Sequence, residues 1–154
     1  MKYFNPIHRL IAIVKSLNLD NLAYDITLKR ETQELIIKFN TKDQLYDLGI
    51  DATGRRLDSI GGGYAPLTIS IKQSTNLPTD RVTLFQTGAF YGTFEIEPFK
   101  GGFDIFADTI KDGDDLMDSW GENILGLTDD NKRLLVLYYR DEIIKAVKEK
   151  FRSI

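Results

Sequence analysis

The sequence predicts an α+β fold, and three observations carry that prediction. Helical periodicity fills the N-terminal third, an aromatic-rich hairpin signature is centred on Lys100-Gly101-Gly102, and a single long helical pattern closes the chain. Strands do not alternate with helices as a parallel sheet would require. At 154 residues the chain suits one core. We divide this single domain (1–154) into a helical part (1–49), an extended loop (50–81), a β-hairpin region (82–126) and a C-terminal helix (127–154).

Asn5 before Pro6 reads as an N-cap with proline at the first helical position, and Ile7, Leu10, Ile11, Val14 and Leu17 follow at helical spacing. This predicts a helix over 6–17. The segment 20–39 lacks glycine and proline and sets Leu28, Leu35, Ile36 and Phe39 on one face, which predicts a second helix. Thr41 with Gln44 forms a capping-box pattern ahead of Leu45 and Leu48, with Gly49 just past the end of a short third helix. Residues 51–80 hold two prolines and four glycines and read mostly as loop. Inside it, Leu67 to Ile71 alternates apolar with polar, which fits a short strand or one face of a short helix equally.

The residues Phe94 to Pro98 and Phe103 to Ala107 flank the glycine turn and predict a β-hairpin. A short helical turn is expected over 114–120, and Gly121 and Gly126 bound an irregular link. Thr128 caps the last helix, with Leu134, Leu137, Tyr138, Ile144, Val147 and Phe151 at helical spacing over about 23 residues, or roughly 35 Å.

The residues leave little for catalysis. The chain has no cysteine and one histidine, His8, so disulfides, thiolate metal sites and a cysteine nucleophile are excluded, and a serine triad would have to use His8. Gly61-Gly62-Gly63 lacks the following Lys and Ser/Thr of a phosphate loop, and the acidic run 108–115 lacks the spacing of a calcium loop. Glu95 and Glu97 alternate with Phe94 and Ile96, which suits an acid and base pair in principle but the wet face of a sheet better. We expect no catalytic residue, no metal and no cofactor. No apolar run reaches the roughly 20 residues of a membrane span, and no secretory signal is read at the start. A concentrated basic patch with interleaved aromatics is missing, so neither specific nucleic-acid recognition nor membrane association is expected.

Charge is segregated along the chain. Nine acidic residues stand against Lys111 alone between Asp104 and Asp130, whereas seven basic residues outnumber three acidic ones from Asn131 onward. The plain reading is solvated faces, the basic residues also complementing the last helix's C-terminal dipole. The sharper reading pairs the acidic end of one copy, at Asp114 and Asp115, with the basic end of the next, at Lys145 and Lys148, in a head-to-tail ring. Trp120, the only tryptophan, reads as a core or hinge anchor or as an interface anchor.

Three further stretches run Tyr46 to Leu57, Tyr64 to Thr68 and Pro78 to Tyr91, the last containing Thr87-Gly88-Ala89-Phe90. They present a glycine-containing lead-in loop, a tyrosine with a small residue and Pro66, and a threonine-glycine step before an aromatic. In that order, followed by the hairpin and by Ser119-Trp120-Gly121, they resemble small structural proteins of tailed bacteriophages, the virion morphogenesis, head-tail joining or tail-completion families. The resemblance spans about residues 46–126. The longer helical N-terminal part and the lack of a basic, proline-containing finish depart from the pattern.

It implies a non-enzymatic virion protein, assembled in the host cytoplasm into a homo-oligomeric ring at the head-tail connector or neck, touching portal or tail proteins. The candidate subunit-interface residues are Arg55, Arg56, Tyr64, Pro66, Phe90, Trp120, Asp114, Asp115, Lys145 and Lys148. The alternative is a small intracellular protein-binding adaptor or immunity-like module, with a hydrolase built on the aspartate cluster third.

Overall fold

The computed structural model describes residues 6–153, and the expected Asn5 cap lies outside them. The architecture is α+β. Helices α1 (Pro6–Ser16), α2 (Leu19–Thr27) and α3 (Arg30–Lys38) lead into a π-helical segment, Phe39–Leu48. Helices α4 (Asp58–Gly61) and α5 (Pro66–Ser74) follow, then the antiparallel hairpin β1 (Glu95–Phe99) and β2 (Gly102–Phe106). A smaller hairpin, β3 (Ile110–Lys111) and β4 (Asp114–Asp115), precedes α6 (Leu116–Trp120), and α7 (Asp129–Arg152) closes the fold.

The expected helix over 20–39 is two helices. At the break Lys29 is extended (ψ 135°), with neither glycine nor proline to cause it. The cause is tertiary: Gln33 Nε2 donates to the Thr27 carbonyl at 3.1 Å, while Thr27 and Thr32 hydroxyls bond to the Tyr139 and Tyr138 hydroxyls of α7. Leu28 consequently stands 51% exposed instead of sharing a face with buried Ile36.

The capping box at Thr41 does not form, because α3 runs straight into the π-helical segment. Thr41 Oγ1 donates back to the Ile37 carbonyl at 2.7 Å, occupying the acceptor that an α-helical ladder would use. Gly49 does end the segment, at φ 63°, and a Cβ there would lie 2.8 Å from the Val82 carbonyl oxygen.

Buried amides tie this segment to the C-terminal third. Asn40 Nδ2 donates to Ile124 O and its Oδ1 accepts from Gly126 N, at 2.9 and 2.8 Å. Gln44 Nε2 donates to Gly126 O, and its Oε1 accepts from both Thr128 N and Asn131 Nδ2. Asn40 and Gln44 have no exposed surface, so these bonds replace water completely.

Two apolar clusters form the core. One gathers Leu45, Leu57, Val82, Leu84, Phe90, Phe94, Leu116 and Ile124 around the middle of the chain. The other packs Ile36, Phe39 and Ile96 against Leu127 and Leu135 of the α7 side. The hairpin spans the two: Ile96 faces Ile105 inward, whereas Glu95, Glu97 and Asp104 lie on the exposed face.

The expected extended loop 50–81 instead contains two helices, α4 and α5. Asp51 organises its start, accepting from Thr53 N, Thr53 Oγ1 and Arg55 N through one carboxylate oxygen. The ambiguous Leu67–Ile71 stretch belongs to α5, because Pro66 at its first turn opens a helix.

Candidate interaction surfaces

Helix α7 carries an extended uncovered apolar surface. Thr128 caps it as expected, its side chain accepting from Asn131 N. The face turned inward matches the expected one in part: Tyr138, Val147 and Phe151 are half-buried, whereas Leu134, Leu137 and Ile144 are exposed. Asn131 and Leu135 are buried, Tyr138 and Tyr139 are half-buried, and Glu142 accepts from Lys29 at 2.8 Å and Lys145 at 2.6 Å. These polar anchors at helical spacing select the face. Both lysines hold the Glu142 carboxyl below the usual carboxylate range, and burial pushes the Tyr139 phenol up. Leu134, Val136, Leu137 and Ile144 are therefore left exposed, Val136 by 66%.

Part of that surface forms the wall of an open groove of about 880 Å³ between β2 and α7, floored by Gly126 and Leu127. Phe103 and Ile105 face Leu135, Val136, Tyr139 and Ile143 across it, with Lys132, Arg140 and Asp104 as its charged lining. Sequence periodicity alone misses the groove, since one face of α7 was assigned to the core. The available signal is the run of six apolar or aromatic residues from Leu134 to Tyr139, which covers every side of a helix when one core needs only one side. Helix α1 repeats the pattern: Leu10, Ile11 and Val14 of its expected inward stripe are exposed, and so is His8.

The ten expected interface residues separate into two groups. Phe90 is 7% exposed and stacks edge to face on Phe94 in the core, so it offers no contact to a partner. The Tyr64 hydroxyl accepts from Thr83 N at 2.8 Å. Trp120 packs against Gly61, and its Nε1 is buried without a hydrogen-bond partner. Asp115 caps α6 by accepting from Met117 N, and the Thr109 hydroxyl and this amide hold its carboxyl low. Arg55 pairs with buried Asp51 at 3.6 Å, Arg56 with Asp58, and Lys145 with Glu142. Pro66 is exposed, its carbonyl accepting from Ser70 Oγ at 3.1 Å, and Asp114 and Lys148 remain exposed without an ion pair or side-chain hydrogen bond among the described residues.

A second cavity of about 410 Å³ lies between α5 and the small hairpin, lined by Tyr64, Lys72, Trp120, Asp112 and Asp114. Lys72 is 2% exposed; its ammonium donates to the Phe85 carbonyl and sits 4.6 Å from the Tyr64 ring centre. That carbonyl and ring supply the negative surface that a buried cation needs, so Lys72 anchors α5 to the 82–86 stretch. Among the described residues no group of three or more His, Cys, Asp or Glu can hold a metal ion, and no helix is long and apolar enough to cross a membrane. No protein-family model, curated protein or solved structure matches the chain.

Proposed function

We propose that this chain is a non-enzymatic structural subunit of a tailed bacteriophage particle, forming a homo-oligomeric ring at the head-to-tail connector, neck or tail-completion region. The observation that carries the reading is the order and spacing of its motifs from Tyr46 to Gly121. Uncovered apolar residues on both α1 and α7 support it. A chain this small that leaves Leu10, Ile11 and Val14 on one helix and Leu134, Val136, Leu137 and Ile144 on another has apolar surface suited to protein contacts on two elements. Repeated subunits in a closed ring need two such surfaces each.

The test is the composition of gradient-purified particles together with the native mass of the purified protein. The chain should copurify with particles in many copies and assemble in solution. Its absence from particles, combined with tight binding of one unrelated partner by a monomer, would favour the adaptor reading instead.

A further inference from the structure

We propose that the groove between β2 and α7 receives the β3–β4 hairpin of a second copy of this chain. Ile110 seats among Leu135, Val136, Tyr139 and Ile143, and Asp108 and Asp112 lie against Lys132 and Arg140. This contact rests on the ring reading above and supplies its interface.

Charge and shape select the occupant. The hairpin is narrow, two residues per strand, turning at Asp112 and Gly113 with φ of 54° and 90°. Its largest apolar side chain, Ile110, is 59% exposed, and strand alternation sets Asp108 and Asp112 on the same side as this apolar knob, with Lys111 and Asp114 paired on the other. The groove carries the complement: an apolar trough whose basic residues are Lys132 and Arg140.

The basic residues are free to change partners. Lys132 contacts Asp129 at 3.4 Å and Arg140 contacts its neighbour Asp141 at 2.9 Å, both in exposed pairs that are weak and readily exchanged. The hairpin and the groove lining share no residue, so one copy presents a groove and a hairpin at once. Such a contact is head to tail, and it closes into a ring or runs on as a filament.

Ile110→Asp and Val136→Asp separate the outcomes, because both side chains are exposed and neither change disturbs the core. Circular dichroism verifies that each variant folds. At low salt the unchanged chain should form oligomers and each variant alone should be monomeric. An equimolar mixture of the two should give a dimer of one copy of each, since it retains one intact groove and one intact hairpin. The cysteine-free chain adds a direct readout: Ile110→Cys and Val136→Cys, mixed and oxidised, should cross-link to one another in preference to themselves.

Oligomers that persist in both aspartate variants, or cross-links confined to like variants, would overturn the docking while leaving the ring reading intact. An unchanged chain that stays monomeric at its highest soluble concentration would also overturn it and assign the groove to a different protein. Presence in purified particles would then decide the ring reading on its own.

Discussion

Gln44 is the residue on which the two ends of the chain converge. Its amide satisfies Gly126 O, Thr128 N and Asn131 Nδ2 in a fully buried site. Gln44→Ala leaves these groups unpaired and should cost about 2–4 kcal/mol, read as a lower denaturation midpoint. Gln44→Glu, which keeps the acceptor and loses the donor to Gly126 O, should also destabilise; a variant as stable as the parent would show the network is dispensable. Glu142 makes a second residue-level prediction. Its carboxyl is held low by Lys145 and Lys29, so its contribution is present above the unfolded value near pH 4.3 and is lost as pH falls through the lower folded value. Glu142→Gln should therefore be less stable than the parent at pH 7, with the difference shrinking under acid. Thermal melts across that range measure it, and an equal gap at pH 7 and pH 3 would contradict it.

Among the elements, α4 and α6 meet with no space for a side chain at Gly61. A Cβ there would stand 2.6 Å from Trp120 Nε1 and 2.7 Å from the Ser119 carbonyl oxygen. Gly61→Ala should cost about 1–3 kcal/mol and shift the fluorescence of the single tryptophan. Gly63→Ala, where nothing lies within 4 Å, should be neutral or slightly stabilising, and equal effects at both positions would show that the contact does not matter. Helix α5 carries the third consequence. Lys72 anchors its C-terminal half, while Leu67 and Ile71 are exposed by 72% and 45%. Hydrogen exchange in the free subunit should find the 69–74 amides protected and those of 62–65 fast. Uniformly fast exchange across 61–73 would return the segment to the extended loop that its glycines and prolines suggest.

For the whole molecule, the segregation of charge is neutralised within one copy only along α7, while Asp104, Asp108, Asp112, Asp114, Asp115, Asp118 and Glu122 make no ion pair among the described residues. Asp129 and Asp130 pair with Lys132 and Arg133 on the first turns of α7, and Lys145 pairs with Glu142. Exposed pairs contribute about 0.2–1 kcal/mol each, so Lys132→Glu with Arg140→Glu should weaken assembly by roughly tenfold, with Asp112→Lys restoring part. Val136→Asp should abolish it. Sedimentation at low and high salt distinguishes the two, and a loss driven mainly by salt would show that charge, not the apolar trough, carries the affinity.

Local signals read from the sequence were sufficient wherever the backbone itself demands a residue type. The α+β order, the hairpin about Gly101, the end of a helical segment at Gly49 and the cap at Thr128 all follow from turn chemistry and periodicity that operate within a few residues. Tertiary structure decided which side of each helix is inward. Leu134 and Leu135 are equally apolar, and only the reach of Asn131, Tyr138, Tyr139 and Glu142 to partners 87 to 113 residues away buries one and exposes the other. The same long-range bonds, from Thr27 and Thr32 to α7, flank the break at Lys29, where no local breaker exists, and Gln44 is drawn out of a capping box into the core. Hydrogen bonds between distant side chains leave no periodicity in the chain, so the groove on α7 emerges only when the fold brings those partners together.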